Sequence, residues 1–145
     1  MDRQTLLQLW NEAETKGLWH APWSKSLSGL TPAEAAWKPS PQRHSIWQIV
    51  NHMIFWREHE LRNLVGKKPD ESEINRRNWE EPNSPTDGAW SATLARFAET
   101  HRQIAEAIAN EKNSIERLCY LMPHDSYHVG QAMYVRALQG LPPIE

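Results

Sequence analysis

Residues 45–66 read Ser-Ile-Trp-Gln-Ile-Val-Asn-His-Met-Ile-Phe-Trp-Arg-Glu-His-Glu-Leu-Arg-Asn-Leu-Val-Gly. Ser45 is a favoured helix cap, and Gln48 stands three residues on, where its side chain can reach back and complete a capping box. From there Ile46, Ile49, Val50, Met53, Trp56, Leu61 and Leu64 recur at helical period and form a broad apolar face. The run stops at Gly66, so the stretch predicts one helix from 46 to about 65. A face of this kind buries itself against other helices.

Outward from it, three more segments carry the same period. Residues 2–16 open on Asp2 as a cap, set Leu6, Leu9, Trp10 and Ala13 on one stripe, and end at Gly17. A third helix is expected from Thr86 or Asp87 to Asn110, with Leu94, Phe97, His101, Ile104 and Ile108 on one side. A fourth is expected from 114 to 139, ending at Gly140 before Pro142 and Pro143. Pro123 lies inside it, and a proline there removes a backbone bond and crowds the preceding turn, so the helix should kink or restart at that point. Thr31-Pro32-Ala33-Glu34 is a short helical turn with cap, first-turn proline and acid in order, stopped by Pro39 and Pro41. Residues 67–86 are polar, contain Pro69, Pro82 and Pro85, and are long for a connection, which points to a functional loop or lid. No strand-like alternation stands out. The expectation is an all-α four-helix bundle in one domain spanning 1–145.

Composition narrows the function classes. At 145 residues the chain can hide about 68–70% of its unfolded surface, so a core needs no staples. The single Cys119 excludes an intrachain disulfide and suits a reducing cytoplasm. No signal-like leader and no membrane-length apolar run is visible. With 16 basic and 18 acidic residues, no basic footprint for nucleic acid exists; the Lys67-Lys68 and Arg76-Arg77 pairs sit among acids. Eight tryptophans are many for this length and suit cores, pocket walls and interfaces.

His124 and His128 stand four residues apart, which on a helix puts both imidazoles on one face with Cβ atoms roughly 5–6 Å apart. With Gln131, Val135 and Leu138 they make one stripe, and Val135 and Leu138 turn that stripe towards the core. Polar groups there are costly unless bonded or coordinated. A metal held by this pair and a third residue would keep a position open, as in catalytic zinc sites. The candidates for the third ligand are His52, beside Ile49 and Trp56; His59, farther round towards solvent; His101, in line with Phe97 and Ile104; and His44 and His20. Periodicity leaves the choice open.

Arg43-His44-Ser45-Ile46-Trp47-Gln48-Ile49-Val50-Asn51-His52, followed by His124-Asp125-Ser126-Tyr127-His128-Val129-Gly130-Gln131, resembles the DinB-like (YfiT-like) metalloenzyme family. Trp19-His20-Ala21-Pro22, residues 30–39 and Pro85-Thr86-Asp87-Gly88-Ala89-Trp90 are similar too, and the match runs nearly the whole chain in order. Pro123 departs from the family, which usually continues this helix without proline. The resemblance implies a four-helix bundle holding a divalent metal on His52, His124 and His128. It also implies a homodimer, and a small-molecule substrate that includes a low-molecular-weight thiol such as bacillithiol or mycothiol in a thiol S-transferase reaction. A metal-dependent hydrolase and a non-catalytic metal-binding stress-response bundle are the alternatives. Histidine ligands favour Zn, Ni, Fe or Cu over Mg or Ca.

Around the pair, Asp125 points about 100° away on the helix and reads as a surface or inter-helix acid. Gln131, one turn from His128, is placed to bond an imidazole or a metal-held water. Gly130 is expected to allow close helix approach, Tyr127 and Tyr134 to pack in the core or else line the pocket, and Cys119 to act as a buried apolar residue. His20 is a further pocket candidate. His124-Asp125-x-x-His128 also resembles the zincin signature, in which the acid is the general base, though aspartate is one carbon short.

Overall fold

The computed structural model describes residues 1–144 and contains α1 (Arg3–Thr15), α2 (Trp23–Ser26), α3 (Pro32–Ala36), α4 (Ile46–Leu64), α5 (Glu71–Arg77), α6 (Asp87–Ala109) and α7 (Leu121–Leu138), with a 3₁₀ turn over Leu118–Tyr120. The long helices α1, α4, α6 and α7 form the bundle. α4 packs against both α6 and α7, and α6 also packs against α1. The short α2 packs on both α1 and α7 and fills the remaining side. No strand occurs among the described residues, so the all-α expectation stands.

The caps are those the sequence names. The Gln48 backbone N–H donates to Ser45 Oγ at 3.1 Å, and Ser45 N–H donates to Gln48 Oε1 at 3.0 Å. Asp2 accepts from Thr5 N–H, and Thr31 with Glu34 closes a second capping box on α3. Gly17 ends the α1 segment at φ 74°, and a Cβ there would lie 2.2 Å from the His20 carbonyl oxygen, so only glycine permits the turn into Trp19-His20.

Two expectations change. The fourth helix does not run unbroken from 114: the 3₁₀ turn comes first and α7 begins at Leu121. Pro123 then falls in the first turn, where a missing N–H costs nothing, so the chain restarts there rather than kinking. Residues 67–86 are not one irregular loop. They hold α5, capped by Asp70 and fixed by Arg62–Glu73 at 2.7 Å and Arg77–Glu58 at 2.8 Å. The polar composition that suggested a loop is a surface helix crossing over α4 on ion pairs.

The core joins Leu6, Trp10 and Ala13 of α1, Trp23 of α2, Ile46, Val50 and Met53 of α4, Phe97, Ile104 and Ile108 of α6, and Leu121, Val129 and Ala132 of α7. Burial of these side chains, at about 25 cal/mol per Å² of apolar surface, fixes how α4 and α7 face one another. That facing positions the histidines.

Candidate metal centre

His52 sits in the second turn of α4, and His124 and His128 lie on consecutive turns of α7, where the two helices pack. One ring nitrogen from each of the three lies within 4.8 Å of the others. His52 Nε2 and His124 Nε2 are 3.2 Å apart. Two nitrogens bound tetrahedrally to one zinc, each at about 2.0–2.1 Å, are themselves about 3.3 Å apart. The cluster therefore has the dimensions of a small transition metal.

The outer ring nitrogens decide what the inner ones can do. His52 Nδ1 faces the Asn78 carbonyl oxygen at 3.0 Å, His124 Nδ1 faces Asp125 Oδ1 at 2.8 Å, and His128 Nδ1 faces Gln131 Oε1 at 2.7 Å. Each of those oxygens accepts, so each Nδ1 carries the proton and donates. In the neutral tautomer every Nε2 is then a bare lone pair, and His52 and His124 aim theirs at each other. Facing lone pairs repel unless a proton or a cation lies between them. Oxygen partners on the far nitrogen are the usual support of metal-bound histidine.

Burial favours the neutral forms of His52 and His128. It is the largest cause lowering the His52 pKa to about 4, followed by the nearby His128, while the Asn78 carbonyl opposes the shift. Burial also lowers His128, against the upward pull of Gln131. Aromatic rings wall the site. Trp79, delivered by the segment after α5, stacks on His52 with centroids 3.8 Å apart, and His44 stacks on the far face of that neighbourhood, 3.9 Å from Trp79. Trp56 donates its N–H to Asn78 Oδ1 at 2.9 Å and so holds the segment whose carbonyl orients His52.

Asp125 sharpens the sequence reading most. Of the two readings, surface or inter-helix acid, the second holds: it is 0% exposed and joins α7 to α4. Its Oδ1 accepts from His124, and its Oδ2 accepts from Arg57 Nε at 2.6 Å. The face of α7 that carries Val135 also carries His128, but the most deeply buried row runs through Leu121, Asp125, Val129, Ala132 and Arg136. Two of these are charged, so a hydrophobicity pattern passes over them. Leu138, taken to mark the inward stripe, is 48% exposed. With both oxygens of Asp125 engaged, the zincin role of a free general base is closed to it.

Arg57 was missed altogether. It is fully buried, donates to the Phe97 carbonyl oxygen at 2.9 Å, and lies over the Phe97 ring at 3.9 Å. Its signal in the sequence was an arginine amid the apolar residues of α4, which looked like a solvated charge. Trp79 and Asn78 were missed because they lie in the stretch read as a loop.

His44 adjoins the cluster through Trp79 without joining it, and His101, His59 and His20 stand apart. His101 is buried and stacks on Trp10 at 5.0 Å, with burial first and Arg57 second lowering its pKa to about 4. His59 faces Glu60 at 3.2 Å. His20 is exposed and its Nε2 meets Ser126 Oγ at 3.3 Å. Tyr127 and Tyr134 are exposed rather than packed in the core, and a Cβ on Gly130 would meet nothing within 4 Å, so no helix approaches closely there. Cys119 is half-buried and its Sγ donates to the Glu116 carbonyl oxygen at 3.0 Å.

A cleft of about 290 Å³, bounded by Trp56, Glu60, Tyr120 and His124, reaches the cluster from solvent. Behind Tyr127 and Gln131 lies a larger cavity of about 690 Å³. No described helix is long and apolar enough to cross a membrane. Residues 18–139 match the family model of the DinB superfamily. No curated protein and no solved structure matches the chain.

Proposed function

The chain belongs to the DinB superfamily, and from that premise we propose that His52, His124 and His128 hold one divalent transition metal (zinc, nickel or iron) in a thiol S-transferase acting on small molecules. The observation that carries this reading is the set of outer hydrogen bonds: all three Nδ1 atoms face oxygen acceptors, which leaves three Nε2 lone pairs free in a cluster whose ring nitrogens lie within 4.8 Å of one another. A divalent metal held by these three residues would supply Lewis acidity, which favours the thiolate form of a low-molecular-weight thiol near neutral pH.

The chain's own residues do the rest. Asp125, Gln131 and the Asn78 carbonyl hold each imidazole in its tautomer and rotation. Arg57 holds Asp125 in turn. Trp79 covers the His52 ring and keeps water off that side, while the cleft beside His124 admits the thiol. The Tyr127 hydroxyl accepts from Gln131 Nε2 at 3.1 Å, which leaves its own proton free to donate to a substrate. A metal-dependent hydrolase would use the same centre, but Asp125 is occupied and the nearby Glu60 is held by Arg117 at 2.6 Å, so no free carboxylate base adjoins it. A homodimer in a reducing cytoplasm goes with the transferase reading.

Elemental analysis of protein purified without added metal tests the centre. About one equivalent in the parent chain, and loss in both His52→Ala and His128→Ala, is expected; unchanged metal in both variants overturns the assignment. Conjugation of a chromogenic electrophile to cysteine, glutathione or bacillithiol then tests the reaction. No turnover that depends on the metal, with any of these thiols, refutes the transferase reading.

A further inference from the structure

The cavity of about 690 Å³ lies one residue thickness from the histidine cluster. Gln131 lines it and also holds His128 at 2.7 Å; Tyr127 lines it with its ring 5.1 Å from the His128 ring. His44 lines it from the other side and stacks on Trp79, which covers His52. The volume is in the range of small-molecule sites. Its chemistry is one-sided. Ile49, Val135 and Leu138 make an apolar wall, and no acidic residue lines it. Arg43 lines it too, and among the described residues its guanidinium makes no ion pair and no hydrogen bond. Among the described residues the Tyr134 hydroxyl has no partner, and the Tyr127 hydroxyl, which accepts from Gln131, keeps its proton free. The polar groups on offer are thus chiefly donors, one of them a full positive charge.

We propose that this cavity binds an amphipathic organic carboxylate, its apolar body against Ile49, Val135 and Leu138 and its carboxylate on Arg43. Guanidinium pairs with carboxylate through parallel N–H bonds, and an apolar wall beside it selects acids with a hydrocarbon body over small inorganic anions. The pocket and its ligand chemistry stand independently of the three-histidine reading, since no histidine of the cluster lines the cavity.

Calorimetric titration with 4-phenylbutyrate and with 4-phenylbutan-1-ol, on metal-free protein, tests it. Arg43→Gln should weaken the acid roughly tenfold and the alcohol less than twofold, because a charge-assisted bond is lost from one only. Gly130→Leu projects a side chain into the cavity, where a Cβ meets nothing within 4 Å, and should abolish both. Equal effects of Arg43→Gln on acid and alcohol, or full binding in Gly130→Leu, overturn the proposal. So does a dimer that dissociates in Gly130→Leu while neither probe binds, which gives the face to a second copy. Circular dichroism and metal content of the Gly130→Leu protein keep the outcomes distinct: failure of the metal reading appears in the histidine variants and leaves phenylbutyrate binding intact, and failure here leaves the metal in place.

Discussion

Replacing Asp125 with asparagine keeps the side-chain shape and removes its charge. In the folded protein Arg57 Nε lies 2.6 Å from Asp125 Oδ2, and both side chains are 0% exposed. The remaining partners of Arg57 are the Phe97 carbonyl, Thr100 Oγ1 at 3.4 Å and the faces of Phe97, Trp10 and Trp23, all uncharged. Glu14 feels the Arg57 charge, but burial pushes it up to about 7, so it is a weak counter-ion. Breaking a buried pair from one side costs about 3–5 kcal/mol, because the surviving ion stays desolvated and unmatched. In a chain of this size that lowers Tm by roughly 6–20 °C. The asparagine oxygen can still accept from His124 Nδ1, but its NH₂ group must then face the Arg57 donor. The amide therefore cannot satisfy both neighbours, His124 loses its fixed rotation, and metal affinity should fall about 10–100-fold. Urea unfolding of metal-free Asp125→Asn, Arg57→Leu and the double variant measures the first effect. The double variant should cost less than the sum, with a coupling of at least about 1 kcal/mol. Competition with a chromophoric chelator, at a temperature where every variant is folded, measures the second. Additive stability losses would refute the ion-pair reasoning, and an affinity within twofold of the parent would refute the link from Asp125 to the metal.

The pH dependence of stability offers a second check away from the metal. His101 falls from an ordinary 6.5 to about 4 on burial, so between those values the unfolded chain takes a proton that the folded chain refuses. Stability should drop by on the order of 2–3 kcal/mol as pH falls through that window, and His101→Phe should flatten the slope; an unchanged slope counts against it. Glu14 acts in the opposite direction. Burial raises it from 4.5 to about 7, against Arg57, and its Oε2 has no hydrogen-bond partner. The folded chain is thus protonated there while the unfolded chain is ionised, and stability is lost as pH rises through 7. Glu14→Gln should stabilise by on the order of 1–3 kcal/mol at pH 8 and by nothing at pH 4.5, with equal gains at both values as the contrary result. Ser45→Ala removes the hydroxyl that caps α4 and should cost about 1 kcal/mol in urea unfolding without changing metal affinity; a large affinity loss would mean the cap positions His52 and does more than start its helix.

Much of the fold was legible because helices announce themselves locally. Ser45 with Gln48, Thr31 with Glu34, and Asp2 each name a start, and Gly66 and Gly140 name an end, through bonds that span three or four residues. Pro123 was legible as a break, and its place in the first turn of α7 explains why it is tolerated. Residues 67–86 were less legible. A seven-residue polar helix has no apolar stripe to betray it, and its ion pairs to Glu58 and Arg62 join positions that only the fold brings together. The same holds for Asp125 and Arg57. Each is a charge in a buried row, and a pattern of hydrophobicity treats every charge as solvent-facing until its partner is known.

The sequence by itself determined that His124 and His128 share a face, because the helical period ties residues four apart whatever surrounds them. It did not determine which histidine meets them. His52, His59 and His101 all sit on or near inward faces of their own helices, and a period says nothing about the rotation and register of one helix against another. Packing settled both. The rows around Val50 and Met53 on α4 and Leu121 and Val129 on α7 bring His52 against the pair, and the stacking of His101 on Trp10 turns it towards α1. The same packing seals Asp125 between His124 and Arg57, where burial changes it from a solvated acid into the support of an imidazole.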